Sequence, residues 1–114
     1  MSESILQNIK KLLGIDGTYT EFDTDIIIHI NSVFMILNQL GVGPKNGYKI
    51  TGSLNVWSEF TDDDLLIESV KSYIYLKVRM MFDPPQNSSH IQAIQAQIAE
   101  LEWRLNVSVE NKEA

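Results

Sequence analysis

Apolar and polar positions divide the 114-residue chain into helical stretches separated by glycine, proline and clustered acids. The most apolar stretch is Glu68–Pro85, ESVKSYIYLKVRMMFDPP. Ile67, Val70, Ile74 and Met81 would make one stripe, but Tyr73, Tyr75, Leu76, Val78, Met80 and Phe82 fill the other directions. A helix that is apolar nearly all round needs neighbours on several sides. Those neighbours must be other helices of this chain, other chains, or both. The pattern predicts this helix over 62–83. Asp62-Asp63-Asp64 can satisfy the free amides at its start and favour the positive end of its dipole. Pro84 disfavours an α conformation at the residue before it and closes the helix.

Three further helices are predicted around it. The first, over 3–13, is capped by Ser2 or Ser4, with Ile5, Ile9, Leu12 and Leu13 on one face. Gly14 suits the position just past its end, with Ile15 behind it. The second, over 23–40, carries Ile26, Ile30, Val33, Leu37 and Leu40 at spacings of three and four, and Gly41 ends it. Phe22 and Ile27 are placed for a hydrophobic staple across its start. The fourth, over 88–105, carries a seam of Ile91, Ile94, Ile98, Leu101 and Leu105. A second stripe of Ala96, Ala99 and Trp103 lies on a different face and suits close approach of a partner. Glu100 and Arg104 are spaced for an ion pair.

Between the second and third helices, residues 44–60 lose the helical period. Tyr48 and Ile50, then Leu54 and Val56, alternate about Thr51-Gly52-Ser53. The segment reads as a long ordered loop or a small β-hairpin, held by Trp57 and Phe60 packing on the helices. The tail 107–114 is polar and is expected to fray. The fold class is therefore mainly α: a four-helix subunit forming a single domain over 1–114.

Composition narrows the function. The chain has no cysteine, which excludes disulfides, thiolate metal sites and cysteine nucleophiles. No apolar run reaches the roughly 18 residues of a membrane span, and the amino terminus lacks a secretory pattern. Net charge is −6, without the basic cluster that displaces counterions from nucleic acid. His29 and His90 stand without a ligand set, and no phosphate loop, dinucleotide fingerprint or nucleophile elbow occurs. Asp23-Thr24-Asp25 and Asp62-Asp63-Asp64 lack calcium-loop spacing and read as caps. Lys71, Lys77 and Arg79 read as snorkelling side chains or as ion-pair partners for a neighbouring subunit. Catalysis, cofactor and metal are not expected. Trp57 and Trp103 are the large aromatic candidates for an interface, Trp103 the better one.

The pieces FDTDIIIHINSVFMILNQLGVGP, Trp57-Ser58-Glu59-Phe60, VKSYIYLKVRMMFDPP and IAELEWRL follow an order and spacing that carry a resemblance from Ile5 to about Leu105. The chain resembles the small head–tail connector proteins, or head-completion adaptors, of tailed phages and prophages of Gram-positive bacteria. The resemblance implies a helical subunit that forms a homo-oligomeric ring below the portal protein, with portal symmetry implying twelve copies. Such a ring extends the DNA channel, passes DNA without sequence-specific binding, and docks stopper or tail-completion proteins. The place implied is the head–tail junction of the virion, reached from the host cytoplasm during assembly. By the same resemblance, Trp103, Arg104 and the tail lie toward the portal, and Pro44–Phe60, with Tyr48 and Trp57, toward neighbours or the downstream protein. The alternative is a small helical DNA-binding or regulatory protein of phage origin. It needs a recognition helix that starts with basic and polar residues. Here the third helix starts with acids and the fourth with Ser88-Ser89-His90.

Overall fold

Local caps mark several of the helix ends in the computed structural model, which describes residues 3–113 and the side chains of 3–110. Its helices are α1 (Ile5–Leu12), α2 (Asp23–Gln39), α3 (Trp57–Phe60), α4 (Asp64–Phe82) and α5 (Ser88–Glu113). Ser4 accepts the Gln7 amide and starts α1, while Ser2 lies outside the described residues. Asp63 accepts the amides of Leu65 and Leu66 and starts α4. Asn87 does the same for Ser89 and His90 at α5. Gly14 and Gly41 take positive φ after α1 and α2. Behind them, Ile15 and Val42 donate to the carbonyls of Lys10 and Leu37, which closes each helix in a Schellman turn.

α4 is the centre of the bundle. α1, α2 and α5 all pack against it, and Val70, Tyr73, Ile74 and Val78 are buried there. Most of the neighbours that its apolar circumference demands come from within the chain, while Leu65 and Met81 stay exposed. α2 turns Ile26, Ile30, Val33, Phe34 and Leu37 inward, and α5 adds Ile94 and Leu105. The main helical reading holds, and its details change in four places.

The first is the segment 44–60. It contains no strand among the described residues, so the ordered loop stands and the hairpin does not. Val56 bridges Ser4 rather than pairing back on Tyr48 or Ile50. Asn55 Oδ1 accepts the amides of Thr51 and Gly52, which a hairpin would have paired across. Asn31 of α2 clamps Ile50 from both sides, donating to its carbonyl at 2.9 Å and accepting its amide at 2.8 Å. The loop ends in the single turn of α3, whose Trp57 and Phe60 are buried.

The second is the face of α1. Leu12 is 43 % exposed, and Leu6 and Lys10 are buried instead. The Lys10 ammonium reaches back over the 14–22 turn to the carbonyls of Gly17 (3.3 Å) and Tyr19 (2.6 Å) and to Asp23 Oδ1 (2.8 Å). The third change follows from it. Asp23 faces Lys10 rather than capping α2, and the Phe22 ring packs edge-on against Tyr19 and Phe82. The fourth is the length of α5, which runs past Leu105 to Glu113 because Val109 extends the seam by one turn and packs beside Gly41.

Candidate functional site

With α5 lying on α4, the seam residues face the core and the second stripe faces outward. Ala96 and Ala99 are exposed, and Trp103 is 67 % exposed one turn further on. Arg104 beside it donates to Glu100 at 2.9 Å across one turn. The two helices are tied beneath this face by the Tyr73 hydroxyl, which donates to Glu102 at 2.6 Å. Burial, then that bond to a carboxylate, pushes the Tyr73 hydroxyl well above the usual phenol range. The result is an aromatic side chain in water on a helix whose register is fixed from below.

The remaining candidates do not join it. Tyr48 is half-buried, with its ring edge-on to Phe34 at 5.0 Å, and its hydroxyl donates to Glu59 at 2.6 Å. Burial is the main cause, and Glu59 the second, of a hydroxyl pKa raised well above the phenol range. Trp57 is 2 % exposed, donates its indole N–H to Asn8 and carries the Lys71 ammonium near its ring face. Trp57 is thus a core residue of the folded chain and is not available at its surface. Lys77 lies over the Tyr73 ring, and Arg79 donates to the Tyr75 hydroxyl near Leu13 and Asp83. The predicted residues fall on separate parts of the surface, and Trp103, Arg104, Ala96 and Ala99 form the one coherent set.

The structure also exposes residues that the sequence reading did not single out. Ile28 and Met35 stand out from α2 beside Tyr48 and Lys49, 56 % and 64 % exposed. Leu54, at the tip of the Asn55-held turn, is 91 % exposed, and Leu65 in the first turn of α4 is 85 % exposed. Ile28 and Met35 are seven residues apart, off the Ile26–Ile30–Val33–Leu37 face, and that offset was the available signal. Leu65 gave none, because a leucine in the first turn of an apolar helix reads as core. Among the described residues no group of acidic or histidine side chains is arranged to hold a metal ion.

None of the curated proteins and none of the solved structures compared with the chain matches it. A family model does: the one described as phage connector protein matches residues 5–112, from the first turn of α1 to the last turn of α5. That span takes in every helix described above, and with it the exposed Trp103 face: the chain belongs to the phage connector protein family.

Proposed function

We propose that this chain is the head–tail connector subunit that sits as a ring beneath the portal at one capsid vertex. It extends the DNA channel there and offers a docking surface to the stopper or tail-completion protein. A structural connector role follows from family membership, and the family is structural rather than enzymatic. The observation that carries the finer reading is Trp103. It is a large aromatic side chain, 67 % exposed, on the outer face of a helix whose inner face is packed. In this reading the Trp103 face and the end of α5 meet the portal, and the loop 44–60 faces neighbours or the next protein. The acidic balance of the chain, −6, suits a channel past which DNA must slide, since a basic lumen would hold it.

The test is co-sedimentation of the purified chain with portal oligomers from the same phage genome. Binding near one copy per portal subunit is expected. Absence of binding, with both partners folded, would overturn the portal reading. Trp103→Ala should lower the bound fraction while leaving the thermal midpoint unchanged, because the side chain buries little in the isolated subunit. Equal loss of both would remove Trp103 from the interface.

A further inference from the structure

Copies of an acidic chain repel one another, so at net charge −6 a contact between them is favoured where opposite charges are brought together locally. The cations available for that are few. Lys10 is buried on Asp23, Lys71 pairs with Glu68 and Arg104 with Glu100, while Lys77 and Arg79 lie against tyrosines. Among the described residues, Lys11, Lys45 and Lys49 keep ammonium groups with no ion-pair or ring partner. One of these three, Lys49, lines a groove. The groove lies on α2 and is lined by Ile28, Phe34, Met35, Tyr48 and Lys49, with Lys45 next to its rim residue Asn46. Its apolar floor, Ile28 and Met35, is more than half exposed.

A surface of opposite character lies at the start of α4. Leu65 projects there with 85 % of its surface in water. Asp64 precedes it, Asp62 lies three residues before it, and Glu68, paired with Lys71, follows one turn later, all exposed. Leu65 does not line the α2 groove, so a copy using one surface still offers the other. Two separate, complementary patches are what a head-to-tail contact requires, and such a contact closes into a ring when its rotation allows. Resting on the ring reading above, we infer that Leu65 of one copy seats in the Ile28–Met35 groove of the next. The acids around Leu65 then face Lys49 and Lys45. Lys45 also shares a depression with Asp62 of its own chain, so Lys49 carries the larger part of the charge match.

The chain has no cysteine, which makes the test direct. A Met35→Cys, Leu65→Cys double variant changes two exposed positions and is treated with a short bis-maleimide, both alone and bound to portal. A ladder of cross-linked chains beyond the dimer is expected on a denaturing gel. Each single variant should stop at the dimer, and added Lys49→Glu should weaken the ladder several-fold. No cross-link, or a product that ends at the dimer in both settings, overturns the contact. Co-sedimentation of the same double variant separates the two readings. Portal binding without a ladder removes this contact and leaves the connector reading standing. A ladder without portal binding does the reverse.

Discussion

Lys10 is the residue on which the amino-terminal third depends. Its ammonium is fully buried, and its partners are one carboxylate and two carbonyls of the turn it crosses. Such a pair adds little net stability over an apolar substitute, but breaking it strands the remaining partner. Lys10→Met should cost about 3 kcal/mol, the low end for a broken buried pair, because the Asp23 carboxylate keeps some contact with water. Adding Asp23→Leu should recover part of that, read from urea unfolding midpoints. Titration predicts a second effect. Glu59 is held below the usual carboxylate range by the Tyr48 hydroxyl and then Asn55, and Asp16 by the amide and then the hydroxyl of Thr18. A depressed folded pKa stabilises above the ordinary value, roughly 4, and that share is lost as pH falls through the lowered value. The raised hydroxyls of Tyr48 and Tyr73 work at the other end, where stability falls as pH climbs past the ordinary phenol value of about 10. Tyr48→Phe should therefore flatten both limbs of a plot of thermal midpoint against pH.

At the scale of elements, the entry to the loop 44–60 is a position that leaves no room for substitution. Gly43 has φ +93°, and a β-carbon there would run into the Phe60 ring. Gly43→Ala should cost more than the roughly 1–2 kcal/mol of left-handed strain alone, measured by chemical denaturation. The same loop marks where sequence reading lost its grip. Helix ends were legible because their causes are local: Ser4, Gly14, Gly41, Asp63, Pro84 and Asn87 act within a few residues of themselves. The loop was not, because Asn31 acts on Ile50 and Ser4 on Val56 across long stretches of chain. Lys10 was hidden for a related reason, since a lysine on an apolar face is credible only once its carbonyl partners fold over it. The Trp103 face was legible because the Ile94–Leu105 seam fixes which way the rest of α5 points. The Leu65 knob was not, because only the assembled bundle shows that Val70, Tyr73, Ile74 and Val78 take the buried side of α4 and leave Leu65 out.

The whole molecule is a flattened body of 44 × 36 × 22 Å. α5, at 26 residues, runs about 39 Å and so nearly matches its length. Its tryptophans report on opposite environments, Trp57 in the core and Trp103 in water. On docking to the portal, the Trp103 emission should shift to shorter wavelength and resist acrylamide quenching, while that of Trp57 stays as it is. A Trp57→Phe variant isolates the moving signal, and an unchanged spectrum on binding would place the portal contact elsewhere. The tie between the amino-terminal residues and the segment before α3 has one more consequence. Glu3 and Ile5 are hydrogen-bonded to Trp57 and Asn55, and α1 rests on α2 and α4. α1 therefore leaves the ribosome well ahead of α4, on which it must be seated. At roughly 5–20 residues per second, Ile5, Leu6 and Ile9 wait several seconds, uncovered, for a dock that has not yet been translated.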